Sequence, residues 1–94
     1  MSRVSVLGAA FDPVTEAEAV DRALAWMDEH RSAYVCTPNP EIVMMARRDP
    51  ELMAALNGAD LVLPDGVGIL WAARKMGRPL PERVAGYDFL RALL

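Results

Sequence analysis

Asp60-Leu61-Val62-Leu63-Pro64-Asp65-Gly66-Val67-Gly68, followed by Ile69-Leu70-Trp71-Ala72-Ala73-Arg74-Lys75-Met76-Gly77, decides how this chain is read. Residues 61–63 form a short apolar run, the pattern of a strand buried on both faces. Pro64 ends that strand, because proline has no amide proton for the next rung of a ladder. Residues 65–68 make a tight acidic turn into a helix, and Gly77 closes the helix with Arg74 and Lys75 well placed in its last turn. A strand that runs into an acidic, glycine-rich turn and then a helix is where open α/β sheets build ligand sites.

Upstream of that stretch, residues 3–7 read as a first strand and residues 8–13 as a connecting loop. Thr15 and Glu18 form a capping box. Val20, Ala23, Leu24 and Met27 then fall on one apolar stripe of a helix reaching about residue 30 or 31. Residues 33–36 predict a second strand. Asn39 is suited to cap the next helix, over residues 41–48, with Pro40 at its first position. Asp49-Pro50 repeats the signal for a short helix through Leu56, stopped by Asn57-Gly58. Downstream, Gly77, Pro79, Pro81 and Gly86 mark an irregular loop. A last helix opens near Tyr87, with Asp88 as its candidate cap.

The order β-α-β-α-α-β-α predicts an α/β, Rossmann-like three-layer arrangement with a short parallel sheet, since helical crossovers impose parallel pairing. There is no repeat, linker or low-complexity tract, so residues 1–94 read as part of a single domain. The apolar helical pattern is still running at Leu93-Leu94. Residues 1–94 are therefore expected to be the N-terminal part of a longer domain, truncated at its C-terminal side.

Composition narrows the function. A hydrophobic share of 53% in 94 residues favours a densely buried core. The net charge of −3 argues against a broad nucleic-acid surface. A single cysteine, Cys36, excludes an internal disulfide, and its place in a strand makes it a core residue. Met44 and Met45 read as core filler. No apolar run approaches membrane-spanning length and the N-terminus lacks a signal-peptide pattern, so the chain is expected in the cytoplasm.

Parallel strands end on one rim, which would bring Asp12, Thr37, Asn39 and Asp65 to the same side. Asp65 is suited to act as a general base toward an attacking hydroxyl, and equally suited to cap the following helix. Thr37 and Asn39 could bind sugar hydroxyls, although turn and cap roles explain them locally. Arg83 could engage a diphosphate, or simply pair with Glu82. His30 has no partner at metal-ligand spacing. The first strand is not followed by G-x-G-x-x-G, no Walker motif is present, and no D-x-D pair exists to hold a divalent cation.

Taken together, Thr37-Pro38-Asn39-Pro40-Glu41-Ile42-Val43, Leu63-Pro64-Asp65-Gly66-Val67-Gly68-Ile69 and Arg83-Val84-Ala85-Gly86-Tyr87-Asp88 resemble the successive signatures of the WecG/TagA/CpsF glycosyltransferases, glycosyltransferase family 26. Phe11-Asp12-Pro13-Val14-Thr15 and Trp71-Ala72-Ala73-Arg74 extend the resemblance over nearly the whole chain. It implies an inverting enzyme without metal or other cofactor. Such an enzyme moves a sugar such as N-acetylmannosamine from a UDP donor to polyprenyl-diphosphate-linked N-acetylglucosamine, in bacterial teichoic acid or surface polysaccharide synthesis. By the same resemblance Asp65 is the base, and Thr37, Asn39 and Arg83 line the sugar pocket. Asp12, Gly66, Gly68 and Asp88 are supporting. Peripheral contact at the inner face of the plasma membrane is expected through a C-terminal part beyond these residues. A homo-oligomer is compatible with the pattern. Family members are at least about twice this long, so residues 1–94 alone are expected to hold half of a site and to be inactive. Two other classes remain: a Rossmann-like nucleotide-binding hydrolase in which Asp65 orients water, and a non-catalytic module that pairs through an exposed sheet edge.

Overall fold

In the computed structural model of the chain, which describes residues 3–94, the elements run as strands β1 (Val4–Val6) and β2 (Ala9–Phe11), helix α1 (Glu16–Asp28), strand β3 (Val35–Cys36), helices α2 (Pro40–Ala46) and α3 (Pro50–Asn57), strand β4 (Leu61–Val62), and helices α4 (Val67–Lys75) and α5 (Gly86–Leu93). Local chemistry accounts for most helix starts. The Thr15 hydroxyl accepts from the Glu18 amide while the Glu18 carboxylate accepts from the Thr15 amide, a complete capping box. Those bonds from Thr15 hold the Glu18 carboxyl below the usual carboxylate range. Asn39 and Asp49 cap α2 and α3 with their side-chain oxygens, and proline follows each of them.

Strand β4 is the partition of the fold. Val62 belongs to a core with Val4, Val6, Ala9 and Phe11 of the first two strands, Val43 of α2, and Ile69 and Ala73 of α4. Leu61 and Leu63 belong to a second core with Val14, Ala19 and Ala23 of α1, Val84, and Phe89 of α5. Successive strand residues point to opposite faces, so one short apolar run serves both cores. That is the physical meaning of the unbroken apolar run at residues 61–63.

β3 and β4 pair in parallel, with Val35 opposite Leu61 and Cys36 opposite Val62. The pairing continues past the strands, because the Leu63 amide donates to the Cys36 carbonyl at 2.8 Å and the Asp65 amide to the Pro38 carbonyl at 3.3 Å. Cys36 packs at the margin of the first core, and burial pushes its thiol up. Among the described residues, no helix is long and apolar enough to cross a membrane.

The structure corrects several expectations. Residues 8–13 are not simply a loop: β2 folds back on β1 as an antiparallel hairpin, with Val4 opposite Phe11 and Val6 opposite Ala9. The turn needs positive φ at both Leu7 (54°) and Gly8 (94°), and only Gly8 signals it in the sequence. The expected three-stranded parallel sheet is therefore, among the described residues, one antiparallel pair and one parallel pair.

Asp12 joins the two pairs. Its amide donates to the Val62 carbonyl at 2.9 Å, and its carboxylate accepts from the Val62 amide at 2.8 Å. Helix α1 buries Ala19 and Ala23 and leaves Leu24 and Met27 exposed, because α5 packs on its small-residue face. Helix α1 ends at Asp28, with His30 in the left-handed region. Met44 and Met45 are surface residues, not core filler. The last helix begins at Gly86 with Ala85 as N-cap and no side-chain cap bond; Asp88 sits in its first turn instead of capping it.

Candidate functional site

Three segments meet beyond the C-terminal end of β4. Residues 36–38 lie along residues 63–65 through the two parallel-type bonds already described, and the Val84 amide donates to the Pro64 carbonyl at 2.8 Å. These bonds set Thr37, Asp65 and the Arg83 loop side by side. Side-chain fit completes the cluster. A Cβ on Gly66 would lie 3.2 Å from Pro40 Cδ, and one on Gly68 3.1 Å from Pro40 Cγ. The two glycines thus let the turn before α4 close onto the start of α2. Gly66 also adopts φ 126°, where other residues are strained. A Cβ on Gly86 would lie 2.8 Å from Thr37 Oγ1, so the bare backbone at the start of α5 rests on the threonine hydroxyl.

Asp65 is the acidic group of this cluster. The N-cap of α4 is Gly66, and no side chain makes a cap bond there. Of the two roles equally available to Asp65 from sequence, capping is therefore not the one it performs. Its carboxylate is about one-third exposed and lies 3.9 Å from Arg83 Nε, whose side chain is half exposed. That spacing is an ion pair too long for a hydrogen bond. Arg83 thus faces Asp65. Asn39 Oδ1 accepts from the Ile42 amide at 2.9 Å. Its oxygen is committed to capping, and the amide NH2 is the part available to a ligand.

Asp12 stands beside Val62, the last residue of β4, and is buried there. It is 7% exposed, and its carboxylate accepts from Arg3 Nε at 3.1 Å. Arg3 also donates to the carbonyls of Asn57 and Ala59, which precede β4. The Arg3–Asp12 pair therefore ties the residues before β4 to Val62, the last residue of that strand. Asp88 lines a separate surface pocket with Glu16, Arg91 and Ala92. Among the described residues, no group of three or more His, Cys, Asp or Glu side chains is placed to hold a metal ion.

Residues 4–94 match the model of the glycosyl transferase WecG/TagA/CpsF family. This chain belongs to the WecG/TagA/CpsF family. A Bacillus spizizenii relative named N-acetylglucosaminyldiphosphoundecaprenol N-acetyl-beta-D-mannosaminyltransferase is 35% identical over 91 residues, covering 87% of this chain and 35% of the relative. A Bacillus subtilis protein of the same name is 35% identical over 69 residues, covering 73% of this chain and 27% of that protein. One from Staphylococcus aureus is 26% identical over 91 residues, covering 95% and 36%. The chain spans about a third of the length of the curated relatives it matches.

Pro40 and Gly86 are the positions of this cluster that sequence reasoning left without a spatial role. Each was legible only as helix-start or loop chemistry, and the contact that matters is with a residue 26 or more positions away for Pro40 and 49 away for Gly86. Gly86 gives a testable sign. At a helix position, Gly→Ala ordinarily stabilises by about 0.5–1 kcal/mol. Here Gly86→Ala is expected to destabilise by about 1–2 kcal/mol, because the new methyl collides with Thr37 Oγ1. In a Thr37→Ala background the same substitution should turn neutral or stabilising. Urea unfolding of the four members of that cycle measures it.

Proposed function

We propose that this chain carries the acceptor-activating part of a glycosyltransferase. The enzyme transfers a sugar such as N-acetylmannosamine, with inversion, from a UDP donor to polyprenyl-diphosphate-linked N-acetylglucosamine in cell-wall or surface polymer synthesis. The observation that carries this reading is Asp65: it stands beside a helix start it does not cap, partly open to solvent, with one arginine facing it. The names of the family relatives support the substrate class.

In this reading the acceptor hydroxyl binds against Asp65. Its oxygen attacks the anomeric carbon from the face opposite UDP, and its proton passes to the Asp65 carboxylate. The bond from the anomeric carbon to the diphosphate oxygen breaks with its electron pair, and UDP leaves. Arg83 can exchange its long contact with Asp65 for a charge-assisted bond to a diphosphate, which frees the carboxylate for the hydroxyl. The Thr37 hydroxyl and the Asn39 NH2 hold sugar substituents. Gly66 and Gly68 supply the close approach of α4 to Pro40 that sets the position of Asp65. The parallel β3–β4 pair with cores on both faces supports reading these elements as one part of a Rossmann-like three-layer domain.

The test supplies UDP-N-acetylmannosamine and an N-acetylglucosaminyl-diphospho-polyprenol to a full-length protein containing this segment, with and without a chelator. The expected product is the disaccharide lipid, formed in either case, while residues 1–94 alone form none. Release of free sugar without acceptor would instead identify a nucleotide-sugar hydrolase.

A further inference from the structure

Residues 76–85, between α4 and α5, form neither helix nor strand, yet they are pinned along their length. They start in a Schellman motif. Gly77 takes φ 77°, its amide donates to the Arg74 carbonyl at 3.0 Å, and the Arg78 amide donates to the Ala73 carbonyl at 3.1 Å. Pro79 and Pro81 flank Leu80, and residues before proline favour extended backbone. Leu80 is buried in the first core, the one holding Val62. Val84 is 1% exposed and belongs to the second core, with Leu61 and Leu63. Those cores lie on opposite faces of β4. The segment therefore crosses from one face to the other just beyond that strand, where the Val84 amide is bonded to the Pro64 carbonyl. Pro81, Glu82 and Arg83 are the exposed part of the crossing.

We propose that Leu80 and Val84 are positioning residues, which pin this strap across the end of β4 and thereby hold Arg83 against Asp65. The Arg83 side chain is half exposed, and its 3.9 Å contact with Asp65 is too long to fix it. Its placement comes from the backbone instead. That backbone is held by two buried side chains, one adjacent to Arg83 and one three residues before it, each in a different core. Truncating either anchor leaves the guanidinium present and charged but on a looser tether. A ligand would then have to order the strap as it binds, and that entropy appears as lost affinity. The inference rests on the transferase reading, in which Arg83 engages a diphosphate. It adds that neither anchor touches the ligand and that both act through Arg83.

The test is a double-mutant cycle in a full-length protein containing this segment, read by calorimetric titration with UDP. Arg83→Ala should weaken UDP binding roughly 30-fold and Val84→Ala about fivefold. The double variant should bind no more weakly than Arg83→Ala, because Val84 acts only through Arg83. Leu80→Ala, from the other core, should behave as Val84→Ala does, which keeps the cycle open if one variant does not fold. Val84→Ile keeps a buried branched side chain and should restore the parent affinity. Val6→Ala makes the same truncation at an equally buried position on β1 and should leave UDP binding unchanged. In Val84→Ala, kcat at saturating substrates should stay within about twofold of the parent, so the loss falls on KM. Losses that add in the double variant, or an equal loss in Val6→Ala, would overturn the inference and leave the transferase reading standing. A parent protein that does not bind UDP would overturn both.

Discussion

Asp65→Asn is expected to lower sugar transfer by a full-length transferase carrying this segment by about 10²–10⁴-fold, the span attributed to one positioned general base. The substitution keeps shape and volume and removes only the capacity to take a proton. Donor binding should survive, because Thr37, Asn39 and Arg83 are unchanged. Stability should also survive, within about 0.5 kcal/mol, because the carboxylate caps nothing and its contact with Arg83 is long and partly solvated. The decisive comparison is kcat at saturating donor and acceptor against the urea midpoint of the same variant. A midpoint that falls by the roughly 1 kcal/mol of a lost cap, with transfer intact, would return Asp65 to the structural role.

Why the sequence left those two roles balanced is instructive. An aspartate before a glycine at a helix start satisfies the capping pattern, and the question turns on a shift of one residue. Gly66 takes φ 126° and becomes the N-cap itself, which turns Asp65 out of capping position. By contrast, Thr15 with Glu18, Asn39 with Pro40 and Asp49 with Pro50 were all legible, because every partner lies within a few residues. Legibility failed where partners are remote. The apolar count on α1 pointed to Leu24 and Met27, but the partner helix α5 selects the alanine face, which permits close approach. The β1–β2 hairpin was missed because a leucine occupies a left-handed turn position and β2 opens with two alanines, which carry little strand preference. That residues 37–39 and 65 lie side by side was foreseeable from parallel pairing of β3 and β4, whereas the Val84–Pro64 bond that brings in the Arg83 loop and the strand β2 that leads into Asp12 were not.

Asp12 carries the second large effect, and it falls on stability. Asp12→Ala is expected to cost about 2–3 kcal/mol. The carboxylate performs two tasks at a buried position: it accepts from the Val62 amide, standing in for a backbone carbonyl, and it neutralises Arg3. Alanine would leave the Val62 amide buried without an acceptor and remove one of three acceptors around the Arg3 guanidinium. The figure stays below that for a fully buried ion pair because Arg3 is one-quarter exposed and keeps the Asn57 and Ala59 carbonyls. Asp12→Asn separates the two tasks. Its side-chain oxygen can still accept from Val62, while the charge facing Arg3 is gone, so it should lose about half as much. Both variants should leave kcat per folded molecule unchanged, since the Asp12 carboxylate is buried and committed to the Val62 amide and Arg3. A drop in kcat matching that of Asp65→Asn would place Asp12 in the chemistry. A drop in the urea midpoint alone makes it the clasp that fixes the hairpin to the partition strand.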